Sequence, residues 1–477
     1  MISTPERTLV SLAALRAEFA LRLADLYGTE VPAYNTLVEV AREVNSDVAA
    51  ARGGRAERLG RIDRVTAERH GAIRVGSPRE LAQAARVFAG FGMHPVGFYD
   101  LRDASKSSVP VVATAFRPTD ADELAKNPFR VFTSMLVTTD RRFFDAETQK
   151  RLEAFIAART LFGAELLALA DRAAEQQGLD RHHAERFLEL ATAAFELFTG
   201  PVDHDWYFRL EKISAVAADI GGVPSTHINH LTPRVLDIED LYERMEARGI
   251  TMIDEIQGPP DWEGPAVLLR QTSFKALAEQ RQFRHADGTI RPGSLRVRFG
   301  EVEQRGVALT AAGRDLYDRM VADTDARLTA DPAGSTTRVD VARSVWRANL
   351  PATERELALQ GLAFFTYVVA RPASGAVTIT EAESASLRSL VEAGVLAPEP
   401  IVYEDFLPRS AAGIFQSNLT DEGTRDDEEL GTPYDIDTLS AVIGRPIADP
   451  TELYAAQQQA SLTAAARALG LRTITLD

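Results

Sequence analysis

The chain of 477 residues carries 53 Lys and Arg against 69 Asp and Glu, a net charge of −16, and contains no cysteine. So acidic a surface lacks the clustered positive stripe that phosphate backbones require, and no nucleic-acid partner is expected. Without thiols there is no disulfide framework, thiolate-held zinc, iron–sulfur cluster or thiolate nucleophile, so any metal must rest on carboxylates and the eight His.

The 45% hydrophobic and 26% charged fractions are ordinary for a globular chain. No apolar run approaches the ~20 residues of a membrane span. The opening stretch MISTPERTLVSLAALRAEF, interrupted by Arg7, Arg16 and Glu18, reads as an amphipathic helix and not a secretion signal. A cytoplasmic protein with no membrane partner is expected.

In chain order, residues 5–65 are helical by period, with Leu9, Leu12, Leu15, Phe19, Leu23 and Leu26 at steps of three or four and then Leu37, Val40 and Val44. Residues 70–76 read as a short strand, Ser77-Pro78 as a helix start and 80–92 as the helix. Strands follow at 94–101, 109–116 and 129–139. Residues 140–200 return to Ala- and Leu-rich helix. Next come a strand at 227–236, Asp237 as cap of a helix over 238–249, and strands at 252–256, 266–274 and 294–305. Residues 308–330 are helical, and the remainder mixes helix with turn-rich loops. The acidic stretch DEGTRDDEE within it reads as a solvated loop.

The order β-α-β-β-β therefore occurs twice. One copy opens with His70-Gly-Ala-Ile-Arg74, the other with His230-Leu-Thr-Pro-Arg234, and the two His lie 230 − 70 = 160 residues apart. The expected fold is α+β: two such modules pairing into a curved, barrel-like sheet, with large helical N-terminal, insertion and C-terminal segments. The segments are an N-terminal helical part (1–65), a first module (66–140), a helical insertion (141–226), a second module (227–307) and a C-terminal region (308–477) that closes the site.

Side chains four apart on a strand share a face, so each His accompanies its Arg. A repeat brings matching positions together near its two-fold axis, which points to His70 and His230 as metal ligands. His227, three residues before His230, faces the other way and is the fallback. The third ligand is sought in SLRVRFGEVEQR, where alternation puts Leu295, Val297 and Phe299 on one face and continues it with Glu301 and Glu303. A carboxylate at the end of a buried apolar face is costly unless it is paired or bound to metal. Glu301, nearer the apolar run, is preferred over Glu303; pairing with Arg305 or Arg74 is the plain structural alternative. Two His and one carboxylate form the face that suits Fe(II), although Mn, Co, Ni or Zn would accept the same donors. Arg74 is either a bidentate clamp for a substrate carboxylate or half of a structural ion pair. His182, His183 and His285 read as surface residues, while His94 and His204 fit core, surface or site equally. No dinucleotide-binding glycine motif follows a strand, and no G-x-S-x-G elbow is present.

The stretch HINHLTPRVLDIEDLYERMEARGI, the strand RFGEVEQRG and the segment YEDFLPRSAAGIFQSNL together resemble the 2-oxoadipate dioxygenase/decarboxylase family. Its members include bacterial D-2-hydroxyglutarate synthases of lysine breakdown, and it belongs to the vicinal oxygen chelate superfamily of paired β-α-β-β-β modules. The resemblance implies Fe(II) on His70, His230 and Glu301, and a substrate-binding, catalytic role for Arg74. It also implies a C-terminal loop that closes on substrate at Arg409 and Ser410, with Arg409 standing where the family segment usually has Val. The implied partners are O₂ and a 2-oxo dicarboxylate, 2-oxoadipate, which loses CO₂ and leaves as 2-hydroxyglutarate carrying both oxygen atoms. The same fold and ligands would also serve a ring-cleaving dioxygenase or a glyoxalase-type isomerase. A non-catalytic protein could instead enclose an anion between Arg74 and Arg234.

Overall fold

A computed structural model of the chain describes residues 9–53, 69–103, 109–276, 278–295, 298–330, 337–370, 384–408, 414, 418, 425–426 and 428–476. Ser11 caps the first helix, α1 (Leu12–Glu30), its side chain accepting from the Ala14 amide. Leu15, Phe19, Leu23 and Tyr27, each four residues on from the last, form its buried stripe, while Leu9 of the expected stripe is exposed. Pro32 cannot continue that helix and instead opens α2 (Pro32–Arg52) at a position where its missing N–H costs nothing.

The central sheet has the order β2-β3-β4-β1-β5, where β1 is Arg69–Val75, β2 His94–Asp100, β3 Val111–Arg117, β4 Arg130–Leu136 and β5 His230–Pro233. Ser77 caps α3 (Pro78–Ala89) between β1 and β2, as its sequence promised. All seven residues of β1 are buried because both faces are covered. Ile73 and Val75, with Val131 and Met135 of β4, pack into the core built with α1, α2 and α3. Alternation turns His70, Ala72 and Arg74 to the opposite face. Ala72 and Phe132 there join the other core, which contains much of the C-terminal region.

Five helices separate β4 from β5: α4 (Ala146–Ala158), α5 (Ala164–Gln176), α6 (Arg181–Ala193), α7 (His204–Glu211) and α8 (Ala215–Gly221). Strand β5 then pairs antiparallel with β1 in the register His70↔Thr232, Gly71↔Leu231, Ala72↔His230. Exchanging His70 with His230 and Ala72 with Thr232 carries the first of these pairs onto the third. The register therefore has a local two-fold axis at Gly71·Leu231, with the offset seen in the sequence.

Asp237 caps α9 (Ile238–Ala247) as expected. Beyond it the second copy departs from the expected strands in three places. The strand at 227–236 shortens to β5, because Pro233 has no N–H to extend the ladder and Asn45 of α2 takes the neighbouring groups, Arg234 O at 3.0 Å and Leu236 N at 2.8 Å. The strand at 252–256 is reduced to single bridges, of which Met252↔Phe274 leads into β6 (Leu269–Ser273). The strand at 294–305 is two pieces: β7 (Glu279–Arg284) and β8 (Ile290–Leu295) form a separate hairpin, and β9 (Glu301–Arg305) pairs with β6. The join passes Gly300, where a Cβ would lie 1.9 Å from the Phe274 ring, so only glycine fits. A bridge between Arg234 and Glu303 carries the sheet from β5 to β9.

The C-terminal region includes α10 (Ala311–Ala330), α11 (Arg338–Asn349), the antiparallel pair β10 (Phe365–Val369) and β11 (Leu396–Pro400), and α12 (Pro450–Ala468). After β11 the segment 401–407 is buried and runs back to the central sheet. Among the described residues no helix is long and apolar enough to cross a membrane.

Candidate metal centre

His70 on β1 and the first residues of β5 and β9, His230 and Glu301, converge. One ligand atom from each lies within 4.8 Å of the other two. His70 Nε2 is 3.4 Å from Glu301 Oε1, and His230 Nε2 is 3.5 Å from Glu301 Oε2. The two rings stand at 87° with centroids 5.4 Å apart. Relative exposures are 1%, 5% and 3% for His70, His230 and Glu301. No other group of three His, Asp or Glu side chains among the described residues converges in this way.

His230 tests whether the cluster suits an ion. Both its ring nitrogens are buried with no hydrogen-bond partner. Leaving such groups unmet costs about 1–3 kcal/mol each, and an unexplained instance points to an absent ion or water. Burial, with His70 and Arg74 adding to it, pushes the His230 pKa down to about 4 despite Glu301, so the ring is a neutral donor at pH 7. The donor set of two imidazoles and one carboxylate fits Fe(II) or another divalent ion.

The two fallback ligands lie elsewhere. Glu303 takes the ion-paired alternative: Arg305 holds it with two contacts of 2.8 Å, and its Oε2 is 2.9 Å from His70 Nδ1. Burial acts against its charge, but Arg305, His70 and Arg130 keep it ionised far below the usual carboxylate range. Burial likewise opposes protonation of His70, and Glu303 and Glu301 outweigh it, raising the ring's pKa. His227 turns away to Asp219 Oδ1, 3.5 Å off, and to the Asn229 amide at 3.1 Å.

Arg74 shares the face of His70 and is ion-paired, its Nη1 lying 2.5 Å from Asp219 Oδ2. The Asn229 amide donates to the same oxygen at 3.1 Å. Burial alone would raise the Asp219 pKa, but His227 and Arg74 bring it below the ordinary value. Arg234 is also buried. Arg409 and Ser410 lie outside the described residues. The residues leading to them are firmly held: Arg305 donates to the carbonyls of Tyr403 and Asp405 at 2.8 and 3.1 Å, and the Phe406 ring stands edge-on to His70 with centroids 5.0 Å apart.

Four contributors escaped the reading of the sequence. Gln271 on β6 donates to Glu301, which fixes that carboxylate. Asp219 is a lone carboxylate in the apolar run AVAADIG, the same signal that singled out Glu301. Glu404, paired with Arg130, and Asp405, paired with Arg117, anchor the chain beside Phe406.

A buried two-His, one-Glu cluster on a mixed helix-and-sheet scaffold defines a candidate metalloprotein. The chain belongs to the 2-oxoadipate dioxygenase/decarboxylase family, whose model matches residues 19–418. It is 54% identical over 445 residues to the 2-oxoadipate dioxygenase/decarboxylase of Mycobacterium tuberculosis, covering 93% of this chain and 96% of the relative. It is 40% identical over 472 residues to the Pseudomonas putida protein of the same name, with coverage of 98% and 99%. The crystal structure of the hydroxyglutarate synthase from Pseudomonas putida in complex with 2-oxoadipate matches it with a TM-score of 0.79 at 37% identity, over 97% of this chain and 99% of that one.

Proposed function

We propose that this chain is an Fe(II)-dependent dioxygenase of cytoplasmic lysine breakdown that converts 2-oxoadipate and O₂ into 2-hydroxyglutarate and CO₂. The observation that carries the reading is the buried His70–His230–Glu301 cluster, in which neither His230 ring nitrogen has a hydrogen-bond partner, in a chain whose relatives over nearly its full length are named 2-oxoadipate dioxygenase/decarboxylase. The paired β-α-β-β-β modules of the vicinal oxygen chelate superfamily are the architecture that best accounts for the two-fold register between β1 and β5.

When bound, Fe(II) supplies the redox centre at which O₂ and a 2-oxo acid react, and a three-residue face leaves positions open for both. The rest is the work of the side chains. Arg74, its guanidinium held by Asp219, offers a fixed fork to a substrate carboxylate, and Arg409 and Ser410 complete the grip. Neutral His230 donates from a ring that carries no extra proton at neutral pH. His70, with Nδ1 against Glu303, presents Nε2 to the centre. Phe406 and Phe299 wall the two imidazoles and exclude bulk water.

The stoichiometry closes without an added reductant. The bond between the carboxyl carbon and the keto carbon breaks and CO₂ leaves. One oxygen atom completes the new carboxylate and the other becomes the hydroxyl on the adjacent carbon, so the two oxidations together consume the four electrons that O₂ accepts. Product analysis tests this. Anaerobically loaded Fe(II) protein given O₂ and 2-oxoadipate should yield 2-hydroxyglutarate and CO₂ in equal amounts, with catechols and hemithioacetals left untouched, and Glu301→Ala should yield none. Absence of O₂ uptake with every 2-oxo acid refutes the reading.

A further inference from the structure

We infer that Glu303 is the positioning residue of the metal centre. It fixes the orientation and tautomer of His70 so that Nδ1 holds the proton and Nε2 faces the ion. The inference rests on the metal reading above and goes beyond the ligand set. His70 has two ring nitrogens and a carboxylate on each side: Nε2 is 3.4 Å from Glu301, and Nδ1 is 2.9 Å from Glu303, an ion-pair distance whose angle falls short of a hydrogen bond. Both carboxylates project from β9, two residues apart on the same face, and the imidazole stands between them. Only one can be a ligand. Glu303 is excluded because Arg305 grips both its oxygens and Arg130 lies 3.4 Å from Oε1, so its charge is already committed. Glu301 accepts instead from the neutral amide of Gln271 and faces the second imidazole. A carboxylate behind a ligating imidazole holds the ring in one orientation and raises its donor strength.

Glu303 is itself immobile. It is fully buried, and the Arg305 fork that clamps it also donates to the carbonyls of Tyr403 and Asp405. One carboxylate therefore ties His70 to the backbone that leads into the expected substrate loop. A purely structural Glu303 would serve Arg305 and Arg130 alone and would leave the ion's surroundings unchanged.

The test uses Co(II) added to the full chain after chelation, read by affinity and by ligand-field absorption. Loss of a partner behind a ligand lowers metal affinity by roughly 10–100-fold. Glu303→Leu should show a loss in that range with an altered Co(II) spectrum. Glu303→Gln, which keeps an acceptor but no charge, should fall between it and the parent. Folding of each apo variant is checked by thermal melting. A folded Glu303→Gln and Glu303→Leu pair with parental affinity and spectrum overturns the inference. Should the Leu variant not fold, the parent chain still decides: in the Zn(II)-loaded, ¹⁵N-histidine-labelled protein His70 must carry its proton on Nδ1, and protonation on Nε2 overturns the inference. A parent chain that binds no divalent ion refutes the metal reading itself, a result distinct from either of these.

Discussion

Arg74 Nη1 lies 2.5 Å from Asp219 Oδ2, and both side chains are buried. The guanidinium proposed to receive substrate thus already faces a carboxylate, which comes from the helical insertion and not from either repeat. Removing one member of a buried pair leaves charge uncompensated and costs about 3–5 kcal/mol. Asp219→Ala should lower stability toward the smaller of those figures, measured by urea unfolding of the apo protein. Anaerobic 2-oxoadipate brings a replacement carboxylate, so its stabilising effect on melting temperature should be larger in the variant than in the parent. Equal shifts would show that Arg74 does not meet the substrate.

Metal removal should be visible without turnover. An ion that binds only the folded chain stabilises it by about 2.7 kcal/mol at a hundredfold excess over its dissociation constant. Chelated protein should melt at a lower temperature and recover on anaerobic addition of Fe(II). His230→Ala should melt at one temperature with or without Fe(II), since the variant lacks one of the three donors. A metal-dependent shift that survives in His230→Ala would remove that residue from the ligand set.

Acid should weaken the chain through Asp405. Burial alone would raise its pKa, but Arg117, with contacts of 2.9 and 3.0 Å, and the Tyr454 hydroxyl bring it below the ordinary 3.8. A carboxylate with a depressed folded-state pKa contributes stability that is complete above the ordinary value and is lost as pH falls through the folded one. Asp405→Asn should therefore be about 3 kcal/mol less stable than the parent at pH 7, with the gap narrowing as pH drops below 4. Urea midpoints at pH 7 and pH 3.5 check this, and a gap independent of pH would contradict it.

Phe406 packs against His70, Phe132 and Tyr99 with centroid separations of 5.0, 4.9 and 6.2 Å, and Arg305 lies over its ring. Phe406→Ala opens a cavity in this cluster and should cost about 3–5 kcal/mol. Because the ring also anchors the chain that leads to Leu407 and Pro408, KM for 2-oxoadipate should rise more than kcat falls. The reverse split would place Phe406 with the chemistry and not with substrate binding.

The sequence revealed most where a periodic or symmetric pattern carried the information. The His-x-x-x-Arg repeat anticipated that His70 and His230 would meet, and the register of β1 with β5 displays the same offset. Alternation along β9 placed Glu301 and Glu303 on one face, and their neighbours then divided the roles: Gln271 and two imidazoles at one, Arg305 and Arg130 at the other. Arg305 is a local neighbour of Glu303, but Gln271, Arg130 and the two imidazoles come from other strands, so the full division cannot be read locally. Asp219 was missed because it meets Arg74 across a sequence separation of 145. The second copy was harder than the first because Pro233, Gly300 and the β7–β8 hairpin interrupt strands that alternation alone would have continued.

His70, His230 and Glu301 belong to three strands drawn from both sides of the Gly71·Leu231 axis. During synthesis, a growing chain that has not reached residue 301 lacks one of the three donors, and the two imidazoles are aligned only after β5 has paired with β1. No early folding unit owns the centre. A centre built from these three residues would be complete only once the two halves have joined, so a divalent ion would meet its full ligand set in the folded chain and not in the nascent one.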